Sequence, residues 1–331
     1  MNRRDFIIGS SAGLGVAWPS SNPSTLSAAV TAGGRMSGPS DPSQRTYRVL
    51  GVPLRSGSLY PGNENDAQAY RDVQLLARLQ AAGCKAIDDG DVAIPSYLPH
   101  HSIPPIRSWP GPRIAWECVR DRVQPYLQQP GQIPLLIGCD CSVVVGTTQA
   151  LMSVAGENVH VVYVDGDFDD APPDPKRCQS AASCAVWLLT HGSPFWSGPP
   201  LRPSQVTVMG WSNPSRSERS DTGSGTGSMS LVEMRRSGIG QAARQALQAI
   251  PDSASILLHF DIDVFQKRDL PAAYFPHPEG MSLSEGRELL GVLMRDPRIR
   301  IIEVSEYAAL RDLDQSYVRK LVDLLAETLK T

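Results

Sequence analysis

Two acidic clusters, Asp165-Gly166-Asp167-Phe168-Asp169 and Asp261-Ile262-Asp263, each follow directly on a run of strand-forming residues. Val161-Val162-Tyr163-Val164 leads into the first, and Ile256-Leu257-Leu258-His259-Phe260 leads into the second. Alternate residues of an extended chain point the same way, so Asp165, Asp167 and Asp169 can converge from one loop and Asp261 and Asp263 from another. Five carboxylates at strand ends make a cage for divalent cations. The bland reading is a pair of solvated, helix-capping loops, and it weakens when both clusters sit in the same context. A calcium loop of the Asp-x-Asp-x-Asp kind wants Gly at its sixth position and Glu at its twelfth. Asp170 and Lys176 stand there, and a strand rather than a helix leads in.

A third segment, Pro134-Leu-Leu-Ile-Gly138-Cys139-Asp140-Cys141-Ser142-Val-Val-Val-Gly146, reads as a buried strand, a tight turn and a helix. Together the three segments resemble the ureohydrolase family of arginases, agmatinases and formiminoglutamases. Members carry Gly-Gly-Asp-His-Ser, then Asp-Ala-His-x-Asp, then Ser-x-Asp-x-Asp-Val. This chain has Gly138-Cys-Asp-Cys-Ser142, Asp165-Gly-Asp-Phe-Asp169 and His259-Phe-Asp-Ile-Asp-Val264 in the same order, and Pro278-Glu-Gly-Met-Ser282 stands where members have Pro-Gly-Gly-Leu-Ser. The resemblance runs from about Tyr47 to the C-terminus.

The resemblance implies two manganese ions. Cys141, Asp165, Asp169 and Asp261 would hold one and Asp165, Asp167, Asp261 and Asp263 the other, with Asp165 and Asp261 bridging. Two family histidines are missing from this set, replaced by Cys141 and Asp167. The family's Ser-Gly-Asn-x-His-Gly stretch, whose histidine helps shuttle protons, falls near Ser180–Cys184, where there is no histidine. With 6 Cys, 6 His and 34 Asp plus Glu, 46 of 331 residues can ligate a metal. Two random replacements would both stay ligands only about 2% of the time, so a rebuilt site explains Cys141 and Asp167 better than decay. Cys141 softens its position toward Zn²⁺ or Fe²⁺, while Asp167 hardens the other toward Mn²⁺, Mg²⁺ or Ca²⁺. Six negative groups so close together require either bound cations or retained protons.

The elements that must position these residues follow from periodicity. Apolar runs at Tyr47–Val52, Cys84–Ile87, Ile133–Ile137, Val159–Val164, Val206–Met209, Ile256–Phe260 and Ile299–Val304 read as strands, with an eighth short strand near Ser230–Glu233. Helical spacing fits Ala67–Ala82, Ala115–Gln128, Val143–Val154, Ala181–Leu189, Gly240–Ala249, Ser284–Met294 and Gln315–Leu329. Strand and helix alternate, which predicts an α/β domain with a central parallel sheet of about eight strands and helices on both faces, the three-layer arginase-like fold that the resemblance implies. Ligands then bind at the strand C-termini. A polar Gly/Ser/Arg loop at Ser212–Ser230 borders the site in this reading.

Asn2-Arg3-Arg4-Asp5-Phe6-Ile7-Ile8 and the weakly apolar stretch to Trp18 have the form of a twin-arginine export signal, with Val30-Thr-Ala32 as a small-residue cleavage site. The organisation read from this is a signal peptide over residues 1–32, a Ser/Pro/Gly-rich disordered linker over 33–45 and the α/β domain over 46–331. Its destination is periplasmic or extracellular. The apolar stretch is too short and too rich in Gly and Ser for permanent membrane insertion. A net charge of −3 implies no nucleic-acid or anionic-membrane surface, while the resemblance implies a small-molecule substrate, with a homo-oligomer left open. An oxidising destination raises two disulfide options, Cys139 with Cys141 and Cys178 with Cys184, which sequence cannot decide.

Two further residues complete the candidate set. Glu303 in Ile301-Ile-Glu-Val-Ser305 matches the family Glu that accepts the substrate's guanidinium, since a carboxylate can take two parallel N–H donors. His259, on the same strand face as Asp261, either supports the ligands from behind or supplies the proton transfer missing elsewhere. The leading functional expectation is an exported hydrolase that uses divalent metal to activate water against a C–N bond of an amidine or guanidino compound. The alternatives are a non-catalytic binding protein of the same fold, and an enzyme of the same fold with acid-base or thiol chemistry at Cys141.

Overall fold

The computed structural model describes residues 42–54, 65–192, 194–212 and 228–330, all within the unit Ser37–Thr331. The twin-arginine segment, residues 33–41 of the linker and most of the Ser212–Ser230 loop lie outside the described residues. Among those described, seven strands form one wholly parallel sheet. They are β1 (Thr46–Gly51), β2 (Lys85–Asp91), β3 (Gln132–Cys139), β4 (Val159–Val164), β5 (Val206–Met209), β6 (Ser255–Asp261) and β7 (Ile299–Ser305), in the spatial order β2-β1-β3-β7-β6-β4-β5. β4 and β6 are buried along their whole length, as continuous Val/Ile/Leu runs in a parallel sheet covered on both faces must be. The edge strand β2 differs. It carries Lys85, Asp88, Asp89 and Asp91, charges that keep an open edge from pairing with another chain.

Two core clusters sit on opposite faces of the sheet. Val162, Val164, Ile256, Leu258, Phe260, Ile302 and Val304 pack with helices α1 (Asp66–Asp72), α2 (Leu75–Ala81), α6 (Leu231–Ser237), α7 (Ile239–Ala249), α8 (Leu283–Leu293) and α9 (Ser316–Leu329). Val161, Tyr163, Leu257 and Ile301 pack with α3 (Gly111–Leu127), α4 (Val143–Ala155) and α5 (Ala185–His191). Burying each such side chain is worth about 1.5–3 kcal/mol, so the alternation along the strands fixes which side chains reach which layer. The result is the three-layer fold expected from sequence.

Three details correct that expectation. There is no eighth strand at Ser230–Glu233: Ser230 caps α6, its hydroxyl accepting the Glu233 N–H while Glu233 reaches back to the Ser230 N–H. Only Met229 keeps a strand-like bridge, to Met209. The helix read as Ala67–Ala82 is two helices, broken at Gln74, which sits at φ 63°. Ala181–Leu189 likewise divides into a short 3-10 turn, Ala182–Cys184, and α5. No helix among the described residues is long and apolar enough to cross a membrane.

Candidate metal centre and pocket

Strand alternation delivers the candidate residues to one face. Asp165 follows Tyr163 by two, His259 and Asp261 continue the phase of Leu257, and Glu303 and Ser305 continue that of Ile301, so all belong to the α3–α5 side. On β3 the same count would send Cys139 and Cys141 to the opposite side, with Ile137. The register of β3 against β7 slips between Ile137 and Cys139, and Gly138, at φ 72°, absorbs the extra residue. Cys139 and Cys141 therefore join the α3–α5 side. A Cβ on Gly138 would lie 2.4 Å from the Ala67 nitrogen, so the slip requires glycine.

Cys141, Asp165, His259 and Asp261 are all buried, and one donor atom from each lies within 4.8 Å of the others. Cys141 Sγ stands 2.7 Å from Asp261 Oδ2, 4.0 Å from Asp165 Oδ2 and 3.4 Å from Ser305 Oγ. The remaining carboxylate oxygens are held from the backbone: Asp165 Oδ1 accepts the Asp167 N–H at 2.6 Å, and Asp261 Oδ1 accepts the Asp263 N–H at 2.7 Å. A second group beside it comprises Asp167, Asp263 and His277, again within 4.8 Å. Asp263 Oδ1 takes the Gly166 N–H at 3.0 Å, which ties the two acidic loops together. Asp169, in the left-handed region at φ 47°, accepts the Tyr163 hydroxyl at 2.8 Å.

The electrostatics of this cluster are unfavourable without a cation. Burial first, and then the neighbouring carboxylates, push Asp165, Asp261 and Glu306 well above the usual carboxylate range. Burial and the same acids, Asp261 foremost, raise the Cys141 thiol as well. At His277 burial opposes the charged ring, yet Asp167 and Asp263 outweigh it and push the imidazole up to about 10. A thiol, carboxylates and imidazoles converging in a buried spot fit a transition metal or manganese. Ligands bound at ~2.0–2.3 Å stand no more than about 4.6 Å apart, so a spread of 4.8 Å needs only side-chain adjustment to close on an ion.

A cavity of about 320 Å³ opens onto this cluster, its wall including Cys141, Asp169, Asp261, Ser180, Phe275 and Glu306. Glu303 has no exposed surface. Its Oε2 lies 2.7 Å from His259 Nδ1, and it sits behind the cluster rather than on the cavity wall. His259 is clamped between that carboxylate and the ring of Tyr163, stacked at 4.3 Å, while its Nε2 lies 3.1 Å from Ser305 Oγ. Besides the aspartates, the cavity wall includes Glu306, which the sequence motifs do not flag. It occupies φ 61°, one oxygen accepts the Cys141 N–H at 3.2 Å, and the other is buried without a hydrogen-bond partner. His277 was also outside the motif set, although it directly precedes the Pro278–Ser282 segment. All six cysteines are free thiols, so neither disulfide option is formed.

The model of the Arginase family matches residues 45–330. The chain belongs to the arginase family. An arginase of Bacillus subtilis is 23% identical over 292 residues, covering 86% of this chain and 98% of the relative. Arginase from Bacillus caldovelox shares the fold with a TM-score of 0.74 at 18% identity, over 87% of this chain and 99% of that one. Formiminoglutamase from Trypanosoma cruzi, solved with Mn²⁺, gives 0.68 at 18% identity, over 86% and 93%. Family members share a fold here across large sequence divergence, so the altered ligand positions must be judged on this chain's own geometry.

Proposed function

We propose that this arginase-family protein is an exported, metal-dependent hydrolase of a C–N bond in a small guanidino or amidine compound. The observation that carries the reading is the convergence of Cys141, Asp165 and Asp261 at the ends of three strands, buried and opening on a cavity of small-molecule size. Cys141, Asp165, Asp167, Asp169, Asp261 and Asp263 would hold one or two divalent cations, with manganese favoured by family membership and the sulfur drawing its half toward Zn²⁺ or Fe²⁺. Bound there, such a cation polarises the substrate and makes a water molecule a better nucleophile at neutral pH.

The chain's own groups supply binding and orientation. Glu306 lines the cavity, one oxygen fixed by the Cys141 N–H and the other buried without a hydrogen-bond partner, and an ionised carboxylate so held is a directional acceptor for a planar N–H cation. Phe275, Gln179, Ser180, Ala182 and Ser183 also line the cavity, whose size suits a small molecule. In the reaction the water oxygen bonds to the amidine carbon, the C–N bond breaks, and the departing nitrogen leaves with a proton from that water. The family's shuttling histidine is absent from Ser180–Cys184, so this proton transfer is poorly assisted. General acid-base help is commonly worth roughly 10²–10⁴-fold, and arginine turnover should fall below arginase rates by a comparable factor.

The test is metal-loaded protein offered a panel of guanidino and amidine compounds, arginine included, with release of urea, ammonia or amine as the readout. Metal-dependent turnover that Glu306→Gln weakens chiefly through KM supports the reading. A protein shown by elemental analysis to hold metal, yet inert toward the whole panel, would overturn it.

A further inference from the structure

We propose that His259 and His277 are metal ligands, and that they restore from other elements the two imidazoles missing at Cys141 and Asp167. This rests on the metal reading above and names a ligand set that the family motifs do not contain. The two substitutions in the motifs are each matched by a histidine arriving in space at the same half of the site. His259 stands where the motif has Ser, and its ring joins Cys141, Asp165 and Asp261. His277 comes from a separate loop and joins Asp167 and Asp263.

Each ring is held as a ligand is held. An ionised Glu303 can only accept from Nδ1 of His259, so in the neutral ring the lone pair is on Nε2, which lies beside the cluster 3.1 Å from Ser305 Oγ. A carboxylate on the far nitrogen is the usual outer partner of a metal-bound histidine, because it fixes tautomer and ring orientation. Stacking on Tyr163, 11° from parallel, restricts the ring further. At the other half, His277 Nε2 lies 3.4 Å from Asp167 Oδ2 and 3.6 Å from Asp263 Oδ2, is itself buried, and makes no hydrogen bond. His277 is thus ion-paired with both carboxylates at separations longer than a hydrogen bond, and three donors so spaced can close on an ion.

Gly166 supplies an independent observation. Where the family motif has Asp-Ala-His, this chain has Asp165-Gly166-Asp167. A Cβ at Gly166 would come within 2.7 Å of His277 Cδ2 and 2.8 Å of the Asp263 carbonyl oxygen. The alanine methyl of the motif and the His277 ring cannot share that space. On this assignment Gly166 clears the space that His277 and Asp263 share, and His277 stands in exchange for the motif histidine.

The exchange sorts the two halves chemically. The first offers sulfur, nitrogen and two carboxylates, a set that suits Zn²⁺, Fe²⁺ or Co²⁺, while the second offers nitrogen and carboxylates only and suits Mn²⁺. The full-length mature protein, metal-stripped and titrated with Co²⁺, gives a thiolate-to-cobalt absorption band for the first half and a separate step for the second. His277→Gln and, without removing any donor, Gly166→Ala should each weaken the second step by at least tenfold and leave the thiolate band alone. His259→Gln should weaken the thiolate band. Because His259 is fully buried and its variant can lose the fold, pulsed EPR of wild-type protein holding Mn²⁺ or Co²⁺ provides the second measurement. Imidazole ¹⁴N coupling that changes on ¹⁵N-histidine labelling is the expected result. Ion binding without histidine coupling, or unchanged binding in His277→Gln and Gly166→Ala, overturns the ligand assignment while sparing the metal reading. Failure of the wild type to bind any divalent ion sinks both.

Discussion

Asp261→Asn should move the metal-free and the metal-loaded protein in opposite directions. Asp261 is 1% exposed and shares its pocket with Asp165, the donor oxygens within 4.8 Å. Two unit charges at that distance repel by about 3.5 kcal/mol at an effective dielectric near 20. The metal-free protein bears either this repulsion or the cost of protonating one of the pair. Asparagine keeps the oxygen that accepts the Asp263 N–H and turns an amide toward the Cys141 sulfur, so the local frame survives. Removing the charge should recover about 1–3 kcal/mol, a rise of a few degrees in melting temperature for a domain of this size. With metal the order reverses. A ligand at a hundredfold its Kd stabilises by about 2.7 kcal/mol, and the variant should lose most of that gain because it has given up charge at the centre of the cluster. Thermal unfolding at pH 7 in chelator and then across graded Mn²⁺ reads both signs. A metal-free variant that melts below metal-free wild type, or an undiminished shift with Mn²⁺, would refute the electrostatic reasoning. Asp167→Asn, at the edge of the cluster, should lose less affinity for metal than Asp261→Asn does.

Cys141→His should preserve or tighten Mn²⁺ binding and preserve or raise any C–N hydrolysis; complete loss of activity with metal still bound would instead make the thiol a reacting group. His160 is buried, with Nε2 2.8 Å from Thr207 Oγ1, and burial and then Arg298 lower it from 6.5 to about 4. The unfolded chain takes up this proton below pH 6.5 and the folded one does not, so the stabilisation is complete above 6.5 and falls as pH drops toward 4. At about 1.4 kcal/mol per pH unit the loss is on the order of 3 kcal/mol. Urea unfolding at pH 7 and 4.5 should show that loss in wild type and much less of it in His160→Gln. Replacing Arg3 and Arg4 by Lys should trap the protein in the cytoplasm in a fractionation assay, and undiminished export would count against a twin-arginine route.

Parallel strands announce themselves in sequence because both faces are covered: Val159–Val164 and Ile256–Phe260 could hardly be anything else. The acidic residues just past them were legible for the same reason, since a strand end in such a sheet points at the ligand side. What failed was local or distant. The Ser230–Glu233 turn chemistry outweighed the apolar Leu231-Val232 pair, and a single left-handed residue, Gln74, divided a helix whose periodicity runs straight through it. His277 and Glu306 were invisible because neither lies in phase with a strand. One enters from a proline-flanked loop, and the other follows β7 at a positive φ that breaks the alternation. Glu303, in phase, was legible as important, but its partner His259 becomes evident only when β6 and β7 lie side by side.

Cys141, Ser305, Asp261 and Asp165 end β3, β7, β6 and β4, which are consecutive in the sheet. The contacts of Cys141 with Asp165, Asp261 and Ser305 span 24, 120 and 164 residues of chain. An ion seated there would act as a rivet through the middle of the sheet, joining strand ends that are neighbours in space and remote in sequence. Separating those strands would require the rivet to come out first. The working lifetime of the protein would then be governed by the rate at which metal dissociates and no longer by the strength of its apolar core.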